Sequence, residues 1–108
     1  MELTRKSKIT GVTFSDNGVS RQDNVKALQM NQEIFAVHEA DNAFDPNAIK
    51  LYADAEHTKP LGYLMRDLAR DLVTQSKLGW AYTYFAEPTG SEQKVFGCNI
   101  TIVAKKDD

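Results

Sequence analysis

The side chains best suited to chemistry are concentrated in one short run, Asp41-Asn42-Ala43-Phe44-Asp45-Pro46-Asn47. Asn and Asp tolerate left-handed backbone and bond their own main chain two residues on, while Pro46 pre-sets φ, so the run reads as a rigid polar corner. It feeds Ala48-Ile49-Lys50 and, after a polar gap, Leu61-Gly62-Tyr63-Leu64. Carboxylates and amides at this density suggest a calcium loop. The third position is Ala43, however, and Pro46 replaces the obligatory glycine, so no metal is expected. The plainer role for Asn42 and Asp45 is to tie the corner's own backbone together.

Other candidate chemistries fail on spacing. There is no glycine-rich phosphate loop ending in Lys and Ser or Thr, which argues against nucleotide hydrolysis. His38 falls in a strand pattern and His57 in a loop, and neither has a Ser or Cys nucleophile at an interpretable spacing. Cys98 is the single cysteine, so it can form no intramolecular disulfide and no Cys-rich zinc site, and it reads as a small core residue. Arg66 and Arg70, interleaved with Asp67 and Asp71, read as a solvated helix face, or as a phosphate contact at a helix start. A non-enzymatic chain without cofactor is expected.

Composition sets the frame. A chain of 108 residues, 42% hydrophobic and 26% charged, has room for one core and should fold as one domain, with the core over about residues 8–104. No signal peptide or membrane span is expected, and a lone cysteine suits a reducing, cytoplasmic setting. The formal net charge of −2 argues against a broad basic surface that clings to duplex DNA. If nucleic acid is the partner, a local pocket must hold it.

The elements that must position these residues follow from periodicity. Strands are expected over Lys8–Phe14, Glu33–Glu39, Ala48–Ala53, Lys59–Leu64, Trp80–Glu87 and Val95–Val103, with an irregularity at Gly97. Asn17-Gly18 marks a tight turn. Ser20-Arg21-Gln22-Asp23 has the spacing of a capping box, predicting a helix from about Arg21 to Met30. A second helix starts at Arg66, with Leu68, Ala69, Leu72 and Val73 on its apolar stripe and Lys77 in its last turn, and ends before Gly79. Pro88-Thr89-Gly90-Ser91 reads as a turn and Lys105–Asp108 as a frayed tail. The class is mainly β (α+β), a curled antiparallel sheet of about six strands closing into a small, partly open barrel flanked by two helices. Such barrels bind nucleic acids or small ligands, and the fold alone decides neither. Most aromatic side chains must be core, but one or two on a binding face would give a base-stacking platform.

Asn42-Ala43-Phe44-Asp45-Pro46-Asn47-Ala48-Ile49-Lys50 and Leu61-Gly62-Tyr63-Leu64 closely resemble the HIRAN domain family, in its stand-alone bacterial or phage form. The resemblance runs from about Ile9 to Ile102. It implies an OB-like β-barrel that binds single-stranded DNA, in the best-known case by capturing a free 3′ end. It further implies that Asn42 and Asp45 hold the terminal hydroxyl, that Tyr63 lies near the nucleotide, that Arg66 meets a phosphate, and that Phe14 stacks on a base from the first strand. Thr13 stands where repair-linked members carry an Arg, so one phosphate contact is missing unless Arg21 substitutes for it. Partners of that kind are single-stranded DNA or a DNA 3′ end, with a helicase or other repair protein beside it. The acidic balance and Thr13 support an alternative, a protein-interaction or regulatory domain that has lost DNA affinity.

Overall fold

Period-two alternation along the strands gathers their apolar side chains onto one inner surface. Ile34, Leu51, Ile100 and Ile102 are almost inaccessible to water, and Tyr84, Ala86 and Cys98 lie beside them. The computed structural model describes residues 1–90 and 95–106. In chain order it contains β1 (Glu2–Thr10), β2 (Ser15–Asp16), β3 (Val19–Ser20), α1 (Arg21–Lys26), β4 (Glu33–His38), β5 (Ile49–Tyr52), β6 (Pro60–Leu64), α2 (Arg66–Ser76), β7 (Trp80–Thr89) and β8 (Gly97–Lys106). Six strands close an antiparallel barrel in the order β1-β6-β5-β4-β7-β8, and β2 with β3 forms a separate small hairpin.

The expected elements are present, with shifted ends that have physical causes. The first strand is Glu2–Thr10 and not Lys8–Phe14. Gly11 at φ 72° turns the chain out of extended backbone, so Phe14 sits beyond the strand. The polar stretch Glu2–Lys8 pairs residue for residue with Lys105–Asn99 of β8, a strand recorded in backbone bonds more than in hydrophobic alternation. The same pairing draws Lys105 and Lys106 into β8, where a frayed tail was expected, while the last two residues lie outside the described part. It also closes the barrel: β1 gives most of its length to β8 and its last two residues to β6, so the expected gap does not occur. Pro88 and Thr89 extend β7 opposite Cys98 and Gly97 in regular register, without the irregularity expected at Gly97; Ser91 is outside the described residues.

The helices follow their caps. Ser20 accepts a hydrogen bond from the Asp23 amide at 3.2 Å, the forward half of the capping box. α1 nonetheless stops at Lys26, short of Met30, with Ala27 as its cap; farther on, Asn31 adopts a left-handed φ of 65° and the chain exchanges bonds with Ala86 of β7. α2 buries Leu68, Ala69, Leu72 and Val73, as its stripe requires, and ends at Ser76 with Lys77 as its cap rather than inside its last turn. Each large side chain so buried stabilises the fold by about 1.5–3 kcal/mol. Among the described residues, no helix is long and apolar enough to cross a membrane.

Gly62 marks the tightest join in the barrel. Its φ is 149°, and a Cβ built there would lie 2.3 Å from the Thr10 carbonyl oxygen and 2.8 Å from the Ile9 side chain. Only glycine lets β6 approach β1 this closely. Gly62→Ala should therefore cost about 2 kcal/mol or more in urea unfolding. Gly18→Ala, where nothing lies within 4 Å of the added carbon, should cost only the left-handed backbone penalty of about 1–2 kcal/mol. An Ala at position 62 that unfolds at the wild-type midpoint would contradict the assignment of this contact.

Candidate nucleic-acid interface

The polar corner joins β4 to β5 and is held by its own side chains. Asn42 Oδ1 accepts from the amides of Phe44 at 2.9 Å and Asp45 at 3.0 Å, and Asp45 Oδ1 accepts from the Asn47 amide at 3.0 Å. His38 Nε2 meets the Pro46 carbonyl at 2.8 Å. These are the local bonds that Asx side chains form in place of regular structure. Asn42 Nδ2 donates to Glu39 Oε1 at 3.0 Å, so both ends of its amide are engaged. Asp45 differs. Its second carboxylate oxygen faces the Arg66 guanidinium at 3.8 Å, too long for a hydrogen bond, and Arg66 itself is 78% exposed. An acceptor oxygen and a solvated cation are thus left at the edge of a rigid loop.

Beside the corner lies a brace built on Asp16. The Asn17-Gly18 turn, with both residues at positive φ, folds β2 onto β3 and brings Asp16 close to the start of α1. Arg21 Nε and Nη2 donate to the two Asp16 oxygens at 2.7 and 2.9 Å, a bidentate pair, and Nη1 donates to the Gly11 carbonyl at 2.8 Å. Lys50 Nζ adds a third bond to Asp16 at 2.7 Å. The bond from Arg21 is the main reason the Asp16 carboxyl falls to about 2. Burial opposes that shift, and Lys50 adds to it. The same bond raises the Arg21 pKa above its ordinary value.

Aromatic rings lie against these cations. The Arg21 guanidinium carbon lies 5.9 Å from the Phe14 ring centroid and 5.4 Å from that of Tyr63, and Lys50 Nζ lies 5.7 Å from the Tyr63 and Tyr52 rings. Tyr63 donates its hydroxyl to Glu39 Oε1 at 2.8 Å. Burial, then that hydrogen bond, pushes its phenol up to about 12. Glu39 therefore receives both Tyr63 and Asn42 on one oxygen and couples the brace to the corner.

The residues singled out in the sequence fall into one neighbourhood with unequal exposure. Phe14 is 65% exposed and stands in the turn after β1, which corrects its expected place within the strand. Asn42 and Asp45 are partly covered, Tyr63 is half-buried in β6, and Arg66 opens α2 in solvent. Arg21 is only 7% exposed, with three guanidinium N–H groups bonded internally. Sequence reasoning missed Asp16, Glu39, Lys50 and Phe44. Phe44 stands at the corner's crest with 92% of its surface in water. Asp16 was findable, since it flanks the Asn-Gly turn with Arg21 across from it; Glu39 carries no local signal.

Comparison with known proteins bears on this arrangement. The family described as HIRAN domain matches residues 7–102. No curated protein matches the chain. Among solved structures, the chain resembles a structural genomics target from Lactobacillus plantarum, at a TM-score of 0.73 and 16% identity over 99% of this chain and 100% of that one. It also resembles the HIRAN domain of human HLTF, at a TM-score of 0.62 and 16% identity over 94% of this chain and 74% of that one. At such identity these likenesses speak to the fold, an OB-like barrel with two helices.

Removing Asp16 would leave the Arg21 charge buried and unpaired. Asp16→Ala should destabilise the protein by about 3–5 kcal/mol, and Asp16→Leu combined with Arg21→Met should recover most of that loss. The depressed carboxyl sets the pH dependence as well. Its contribution, roughly 2 kcal/mol, is complete above about pH 5 and is lost as pH falls through the unfolded-state value near 4 toward 2. Urea midpoints measured across that window should decline in the wild type and decline less in the double variant. Parallel pH curves for the two proteins would contradict the brace.

Proposed function

We propose that this chain, which belongs to the HIRAN domain family, is a non-catalytic module that binds single-stranded DNA and seats a free 3′ end at the Asn42–Asp45 corner. Membership of that family supports nucleic-acid binding in general. The observation that carries the finer reading is the division of labour within Asp45. One oxygen is held by the Asn47 amide, and the other has no hydrogen bond among the described residues and lies 3.8 Å from Arg66. A carboxylate in that position can accept a hydrogen bond from a terminal hydroxyl and repels a terminal phosphate. Asn42 serves by holding the loop that presents Asp45.

The remaining parts supply affinity. Phe44 in the corner and Phe14 against Arg21 are exposed rings, where each stacked base is worth about 1–3 kcal/mol. Arg66 is the exposed cation beside Asp45 and serves the adjoining phosphate. Tyr63 lies along the nucleotide, and Arg21 acts from beneath by holding the Phe14 and Tyr63 rings. With Arg21 engaged internally and Thr13 in place of a cation, few phosphates are neutralised, so binding should be weak and its salt dependence shallow, with a logarithmic slope of about −0.7 per phosphate. A helicase or other repair protein is the partner such a module would serve. The internal use of Arg21 and the net charge of −2 favour the second reading, a protein-interaction domain that keeps the barrel without the affinity.

Fluorescence anisotropy on short single strands ending in 3′-hydroxyl or 3′-phosphate separates the two readings. The hydroxyl strand should bind at least about tenfold more tightly. Asp45→Ala should abolish that preference, and Phe44→Ala should weaken both strands by about tenfold. Equal binding of the two ends would remove end capture. No binding even at low salt would shift the assignment to a protein partner.

A further inference from the structure

The hairpin that carries the corner has a second side. Ile49 and Lys50 are strand neighbours and therefore point to opposite faces. Lys50 joins the brace, whereas Ile49 faces a cavity of about 220 Å³ between α2 and strands β4, β5 and β7. Tyr82 and Tyr84 from β7, His38 from β4 and Ser76 from α2 line this cavity, with Ile49 and Leu72 as an apolar floor. Among the described residues no Asp, Glu, Lys or Arg lines it.

Tyr84 is the informative member. The residue is 6% exposed, and its hydroxyl has no hydrogen-bond partner among the described residues, though the oxygen is not fully shut off from water. Buried phenols ordinarily find a partner, because losing hydration without one is costly. Burial pushes the Tyr84 phenol above its usual range, so it stays protonated and able to donate. Other groups around it have spare capacity. Ser76 donates to the Val73 carbonyl at 2.7 Å, which leaves its oxygen free to accept. His38 Nε2 faces the Pro46 carbonyl at 2.8 Å, so that nitrogen donates and Nδ1 is left for other contacts.

A ligand for this space must be small, since pockets for drug-sized molecules run to about 300–1,000 Å³. It must be neutral, since no counter-charge awaits it. It must also present donors and acceptors around a flat apolar body, to meet the hydroxyls and imidazole over the aliphatic floor. We propose that this cavity binds a single purine or pyrimidine base, either free as a nucleoside or carried on a strand. The site is distinct from the corner and does not depend on end capture there. His38 connects the two, lining the cavity while bonding the corner's Pro46.

The test is a titration of the full chain, followed by aromatic and methyl NMR, with adenosine, with thymidine and with a short single strand. Saturable shifts at Tyr82, Tyr84, Ile49 and Leu72 with nucleoside, at concentrations up to about 10 mM, are expected. The same shifts with the strand would identify the base as one carried by DNA, and their absence with the strand would identify the free nucleoside as the ligand. Tyr84→Phe removes only an unpartnered hydroxyl, so its melting temperature should stay at or above the wild-type value while nucleoside affinity falls about tenfold. Lining resonances that stay still under both nucleosides and the strand, or shifts that Tyr84→Phe leaves unchanged in affinity, would overturn the proposal. Strand binding at the corner reports separately through the Phe44 and Asn47 amides, so failure of one site is not read as failure of the other.

Discussion

An arginine as buried as Arg21 is tolerable only because the Asp16 carboxylate meets it with two parallel hydrogen bonds, and the candidate face around it depends on that pair. An isolated charge at this depth would cost several kcal/mol. Paired, it becomes a fixed planar surface against which Phe14 and Tyr63 rest, and the same carboxylate draws Lys50 in from β5. Three separate stretches of chain, the small hairpin, α1 and the β5-β6 ladder, are thereby held at one point. The link continues through Tyr63 and Glu39 to Asn42, so the corner inherits the rigidity of the brace. A loop held in this way gives up little conformational freedom when a ligand arrives, which is the advantage of preorganisation.

The same arrangement shapes what the face can recognise. Two of its cations are committed to Asp16, which leaves Arg66 in solvent beside the second oxygen of Asp45. A surface rich in free lysine and arginine would attract any stretch of nucleic acid through counterion release. Here long-range attraction is small, and discrimination must come from short-range contacts: two exposed rings and one acceptor oxygen. Under the end-capture proposal, that balance suits a strand's end more than coverage of its length.

Much of this architecture was legible in the residues. The Asx side chains and Pro46 announced a rigid corner, Asn17-Gly18 announced a tight turn, and Ser20 with Asp23 announced a cap, because each rests on bonds between near neighbours. The apolar stripe of α2 was equally plain. What could not be read rests on partners distant in sequence. The polar first strand gains its order from β8, some ninety positions later, and its alternation is too weak to predict its extent. Glu39 matters because Tyr63 reaches it across the sheet. Arg21 looked like a candidate phosphate contact until the fold of the small hairpin showed its guanidinium turned inward onto Asp16.

The most direct test of end capture is a crystal structure of the protein with a short single strand carrying a free 3′-hydroxyl. The account predicts the terminal hydroxyl within hydrogen-bond distance of the open Asp45 oxygen. It also predicts Phe44 or Phe14 stacked on a base, and the bonds of Asn42 to Phe44, Asp45 and Glu39 kept as they are in the free protein. A strand bound along another face, or a corner that must release Asn42 to admit it, would contradict it.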